Sequence, residues 1–297
     1  MKSSRYKDTV TFLLSTRDKY FKEVFQTMKK VLSVLSLCLM LTIFAGTAFA
    51  GDFVIKGSTT VLPIAQAAAE KYMEANPDSK ITVSGGGSGN GIKAIIDGST
   101  DIADASRFIK DKEVKAAYEN GVYPVPFAVA MDALLPVVHP SNKVTDLTPE
   151  QLRKIYTGEI KNWSEVGGDS MAIAVVGRDT SSGTYETWEK KIMGDDRVTE
   201  RALVVASNGA MVQTVAKNKL AIGYIGIGYL DDSVKAVMVD GVMGSNETAL
   251  NGEYSISRYL FMFTNGWPEG ETMKFINFVL SNAGQEIVAN TGYVPLR

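Results

Sequence analysis

Three times between residues 52 and 184, an apolar stretch runs into a short turn of glycines and hydroxyls and then into helical periodicity. DFVIK leads into GSTT (57–60), KITV into SGGGSGNG (84–91), and MAIAVV into GRDTSSGT (177–184). Strand–turn–helix units of this kind build a mostly parallel, doubly wound sheet with helices on its faces. The chain therefore reads as α/β.

Other segments extend the pattern. Helices are expected at 60–76, with Pro63 in the first turn, at 148–160 behind Thr148-Pro149, at 209–218 and at 270–292. Strands are expected at 101–106, 220–230 and 254–264, and a β-leaning stretch at 122–139 is interrupted by Pro124, Pro126 and Pro136. Two α/β halves suggest two lobes, with residues 51–133 plus about 231–297 in the first and about 134–230 in the second.

The start of the chain has a different character. From Met28 the sequence MKKVLSVLSLCLMLTIFAGTAFA places two lysines before an apolar run and ends on Ala48-Phe49-Ala50, the pattern of an export signal cleaved after Ala50. Residues 1–27 precede this better start and read as an over-extended beginning or a disordered leader. Removing residues 1–50 takes away eight bases and three acids, which leaves 23 against 30 and a net charge of −7. Such a balance gives no reason to expect nucleic acid as a partner. With one cysteine, Cys38, and one histidine, His139, thiolate and histidine-rich metal centres are excluded, and no cofactor is expected.

Function must then rest on hydroxyls, arginines, carboxylates and backbone amides. At each strand–loop–helix turn the first helical amides lack carbonyl partners, and the helix dipole adds partial positive charge, which suits an anion. Ser58, Thr59, Thr60, Ser88, Ser181, Ser182 and Thr184 add uncharged donors, and Arg178 adds a planar fork. Asp179 reads either as the residue that holds that fork or as a proton acceptor. Ser106 and Arg107 end the strand in ADASR, and Arg107 reads equally as a second cation or as a solvated residue. Asn208, at a helix start, is a further candidate. Taken singly, each loop also reads as a cap or a tight turn. The glycine run fits neither the dinucleotide spacing, since position 90 is Asn90, nor a P-loop. Only the repetition of the arrangement in one chain points to an oxyanion.

GSTTVLPIA, GGGSGNGIKAI, IADASR, YTGEIKNW, VVGRDTSSGT and AIGYIGIGYL together resemble the periplasmic phosphate-binding proteins of Pst-type ABC transporters, over essentially all of residues 52–297. The resemblance implies a two-lobed type II "Venus flytrap" with a mixed, mostly parallel sheet in each lobe. It also implies a monomer that binds inorganic phosphate in the periplasm and delivers it to an inner-membrane permease. Carried over by position, the ligand set is Ser58, Thr59, Thr60, Ser88, Ser106, Arg107, Arg178, Ser182, Gly183 and Thr184, with Asp179, Ser181 and Asn208 in support. One position departs from the family. Many members carry Asp where this chain has Arg107, and that Asp accepts the proton of hydrogen phosphate. Asp179 or Asp104 then stands as the acceptor, or the site takes a fully deprotonated ion, which keeps sulfate, arsenate and molybdate open. An exported phosphatase or serine hydrolase is the enzymatic alternative, and it would need His139 beside a serine. A secreted module that senses or scavenges is the third.

Overall fold

The computed structural model describes residues 52–297, so the leader 1–27, the signal-like segment 28–50 and the cleavage point after Ala50 lie outside the described residues. The first half runs β1 (Asp52–Gly57), α1 (Leu62–Ala75), β2 (Lys80–Ser84), α2 (Ser88–Ile96), β3 (Ile102–Ala105) and α3 (Asp111–Glu119). β1 pairs in parallel with both β2 and β3. Loops 57–60 and 84–91 therefore leave the same edge of the sheet.

β4 (Pro124–Val138) is one unbroken strand of 15 residues, although three prolines suggested interruptions. Proline removes a donor but keeps its carbonyl, and Pro136 O accepts from Val237 N at 2.9 Å.

The second half comprises β5 (Asp146–Leu147), α4 (Pro149–Thr157), β6 (Ala174–Arg178), α5 (Gly183–Trp188), β7 (Leu203–Val205), α6 (Asn208–Ala216) and β8 (Ala221–Gly226). Then come β9 (Lys235–Ala236), β10 (Met238–Val239), α7 (Asn246–Leu250), β11 (Ser257–Asn265), α8 (Gly270–Leu280) and α9 (Asn282–Asn290). α4 shows how local sequence sets an element. Thr148 Oγ1 accepts from Gln151 N, Pro149 opens the first turn, and Gly158 closes it at φ 83°. The expected single helix over 270–292 is two helices. Ser281 is extended between them, and its hydroxyl accepts from Gly284 N, capping α9.

The sheet runs β2-β1-β3-β11-β4-β8-β6-β7, with β9 also on β4 and β5 paired with β10 in a separate ribbon. Pairings are parallel among β2, β1 and β3 and among β8, β6 and β7, and antiparallel where β11 and β4 join the halves. Two cores result. One gathers Phe53, Ile55, Ile64, Val129, Leu260, Phe275 and Val288. The other gathers Leu135, Tyr156, Trp163, Trp188, Met211 and Tyr224. β4 changes core between Ala130 and Ala133. The return was expected near residue 231, but Val234, Val237, Ala249, Tyr254 and Ile256 all pack in the second core. The chain crosses back only on β11, because its register against β4 fixes the crossing there.

Candidate oxyanion site

The loops meet between the two cores. Thr60 Oγ1 lies 2.9 Å from Thr184 Oγ1. Arg178 Nη2 donates to Thr59 Oγ1 at 3.3 Å, and Asn208 Nδ2 donates to Thr59 Oγ1 at 3.3 Å and Thr60 Oγ1 at 3.1 Å. Ser106 N donates to Ser88 Oγ at 3.0 Å, and the two serine hydroxyls are 3.3 Å apart. Gly183 faces them so closely that a Cβ there would stand 2.4 Å from Ser88 Oγ and 2.6 Å from Ser106 Oγ. Gly89 N donates across the cleft to Ser181 O at 2.9 Å. A side chain at Gly87, where φ is +104°, would stand 2.5 Å from Ser181 Oγ. Ser58, Thr59, Thr60, Ser88, Ser106, Arg178, Ser182, Thr184 and Asn208 are all buried. Residues from five segments and both halves thus form one polar cluster out of water.

Arg178 is held by carbonyls. Its Nε donates to Val205 O and its Nη2 to Ala206 O, each at 3.1 Å, while Nη1 is buried with no hydrogen-bond partner among the described residues. Burial lowers its pKa from an ordinary value far above neutrality, so it stays a cation. Asp179 does not hold the fork as one sequence reading had it. Its Oδ1 accepts from the amide and hydroxyl of Ser181. Short side chains bonding two residues on are typical of such turns. The Ser58 and Ser182 hydroxyls serve as caps, accepting from Thr60 N at 3.1 Å and from Thr184 N and Tyr185 N at 3.2 Å.

Arg107 goes elsewhere. Its guanidinium binds Glu113 through Nη1 and Nη2 at 2.8 and 2.7 Å and reaches Glu186 across the cleft through Nε at 2.7 Å. Two carboxylates occupy the fork that the sequence assigned to the ligand. Asp104 is fully buried, and neither carboxyl oxygen has a partner among the described residues. Burial pushes its carboxyl well above the usual carboxylate range. His139 Nδ1 does meet a serine, Ser141 Oγ at 2.8 Å, but the same nitrogen accepts from Ser141 N. That is a turn closing on itself.

The family model for the PBP superfamily domain matches residues 44–283. The chain is 36% identical over 251 residues to the phosphate-binding protein PstS of Bacillus subtilis, covering 83% of this chain and 81% of that protein. The chain belongs to the PBP superfamily, in its PstS family. A second PstS relative, from Borreliella burgdorferi, is 32% identical over 82% of this chain and 89% of its own. Among solved structures, a putative phosphate ABC transporter substrate-binding protein with bound phosphate from Clostridium perfringens superposes with a TM-score of 0.78 at 35% identity. It covers 83% of this chain and all of that one. An ABC-type phosphate transport receptor from Vibrio cholerae gives 0.67 at 36% identity, over 82% of this chain and 99% of that one.

Three residues at the cluster of this PstS-family chain escaped the sequence reading. Arg258 on β11 donates through Nη2 to Thr184 Oγ1 at 3.1 Å and to Thr60 Oγ1 at 3.3 Å. Asp132 on β4 holds Arg258 with Oδ2 at 2.7 and 2.9 Å. Tyr229, its hydroxyl pushed up to about 12 by burial, donates to Thr59 O at 2.7 Å. A lone Arg within YSISRYLFMFT and a lone Asp within AVAMDALL carry no motif. The only available signal was a charge set in an otherwise buried strand, which calls for a partner.

Proposed function

We propose that this chain captures inorganic phosphate between its two lobes and releases it to an ABC permease. The reading rests on one observation: Arg178, Thr59, Thr60, Thr184 and Asn208 converge from both halves into a buried polar cluster. In that setting, donors replace the anion's hydration, and low local polarity strengthens each bond. Because the donors come from both lobes, an anion gains most when the lobes are shut, and it shifts the hinge equilibrium toward closure. A net charge of −7 after export gives no long-range attraction, so selection falls to local dipoles and geometry. Ser88, Ser106 and Gly183 complete the proposed wall, and Arg107 lies outside it. The names of the PstS relatives and the phosphate in the Clostridium perfringens structure support phosphate as the ion. The segment 28–50 supports export, with the closed monomer as the form the permease receives.

Calorimetric titration of residues 51–297 with phosphate, sulfate, arsenate and molybdate between pH 5 and 9 is the direct test. The expected result is phosphate binding at least about tenfold tighter than sulfate. Tighter binding of sulfate or molybdate would reassign the ion, and turnover of a chromogenic phosphate ester would reassign the chain to the enzymes.

A further inference from the structure

We propose that Arg258, locked in place by Asp132, is a positioning residue that fixes the direction of a hydrogen-bond chain through Thr60 and Thr184, leaving the last hydroxyl free to donate only into the cleft. The inference rests on the oxyanion reading and explains how its donors acquire their polarity. It starts from register: Arg258 and Asp132 stand directly opposite on β11 and β4, where the sheet passes from one core to the other. Asp132 is fully buried. Its Oδ2 takes Arg258 Nε and Nη2, and its Oδ1 accepts from Ile227 N at 3.0 Å. Arg258 Nη1 donates to Gly183 O at 3.0 Å and Thr187 Oγ1 at 3.1 Å, so the guanidinium has no freedom to turn.

The rest follows from counting donors. Arginine only donates, and with one Nη2 hydrogen on Asp132 Oδ2 the other is shared between Thr184 Oγ1 and Thr60 Oγ1, which both act as acceptors toward it. Asn208 has its orientation set by Gly226 N, which donates to Asn208 Oδ1 at 3.3 Å, so its amide hydrogens face the threonines. Thr60 Oγ1 then accepts twice, from Arg258 and Asn208, and its own hydrogen goes to Thr184 Oγ1, 2.9 Å away. Thr184 Oγ1 in turn accepts from Thr60 and Arg258, so its hydrogen must point elsewhere. Thr59 Oγ1 likewise accepts from Arg178 and Asn208. A free threonine hydroxyl offers either a hydrogen or a lone pair. Here two of them, Thr59 and Thr184, are made obligate donors beside the unpartnered Arg178 Nη1. These two hydroxyls therefore take the bare oxygens of a hydrogen phosphate ion, and its protonated oxygen faces another side of the cleft.

The test compares Arg258→Lys, Arg258→Met combined with Asp132→Leu, Thr184→Val and Thr184→Ser by calorimetric titration with inorganic phosphate, with thermal melts to check folding. Replacing both members of the ion pair leaves no unpaired buried charge. The paired replacement is expected to weaken phosphate binding about tenfold or more, and Arg258→Lys, which keeps one donor, to recover part of the loss. Thr184→Ser should bind like the parent and Thr184→Val should not. Adding Thr184→Val to the paired replacement should cost little further, since both changes break the same chain. Additive losses, or parental affinity in the folded paired replacement, would overturn the inference while leaving phosphate capture intact. A parent protein that binds no oxyanion would overturn both.

Discussion

Arg107 and Glu186 join the two halves of the molecule through an ion pair of 2.7 Å, with both side chains almost wholly out of water. Glu186 also takes Lys110 Nζ at 2.8 Å, and Arg107 is braced by Glu113. Partners on opposite lobes make this contact one that closure forms and opening breaks. Glu186→Gln is therefore expected to favour the open form and weaken apparent phosphate affinity by about tenfold, since the closed state becomes less populated. Small-angle scattering of the ligand-free protein should show a larger radius of gyration for the variant. An unchanged radius together with unchanged affinity would mean that the pair contributes nothing to closure.

Arg178→Ala removes the buried cation whose Nη1 has no partner among the described residues. Its other contacts are to carbonyls and one hydroxyl, so β6 loses little structure. Phosphate affinity should fall at least about a hundredfold, on the scale of charge-assisted hydrogen bonds, while the circular dichroism spectrum stays that of the parent. Near-parental affinity by calorimetry would remove Arg178 from the proposed site.

Gly183→Ala tests closure by a single methyl group. The added carbon would meet Ser88 Oγ and Ser106 Oγ at 2.4 and 2.6 Å, contacts that exist only when the lobes are together. The variant should keep its melting temperature to within a few degrees but bind phosphate about a hundredfold more weakly, because the wedge penalises the closed state alone. Full affinity would show that the serines move aside freely.

Asp104 and Glu113 should pull stability in opposite directions with pH. Burial raises the folded pKa of Asp104, so the unfolded chain gives up its proton first and stability falls as pH rises above the ordinary carboxylate value. Asp104→Asn removes that cost, and its melting temperature relative to the parent should improve between pH 4 and pH 7, by several degrees if the change reaches about 2 kcal/mol. For Glu113, burial alone would raise the pKa, but Arg107 outweighs it and holds the carboxyl below its ordinary value. Its contribution is complete at neutral pH and is lost as the solution is acidified through the folded value. A Glu113→Gln variant should therefore melt below the parent at pH 7, by an amount that shrinks toward pH 3. Melts that track the parent at every pH would contradict both assignments.

The three glycine and hydroxyl turns were legible because each is local: strand, loop and helix are adjacent in sequence, and caps such as Thr148 and Ser182 act within a few residues. The same locality explains the misses. The break at Ser281 needed an extended backbone that helical periodicity does not reveal. Arg107 looked equally suited to a ligand or to solvent until Glu186, distant in sequence, came within 2.7 Å.

The sequence alone determined the alternation of strands and helices, the hydroxyl-rich turns and the scarcity of cysteine and histidine, since these depend on residue type and near neighbours. Only the tertiary structure decided which charges meet. Arg258 and Asp132 face each other because β11 returns against β4 in one register, and Thr60 reaches Thr184 because two cores close on each other. Pairing between distant strands is set by the total burial of apolar surface, and no short stretch of sequence contains that quantity.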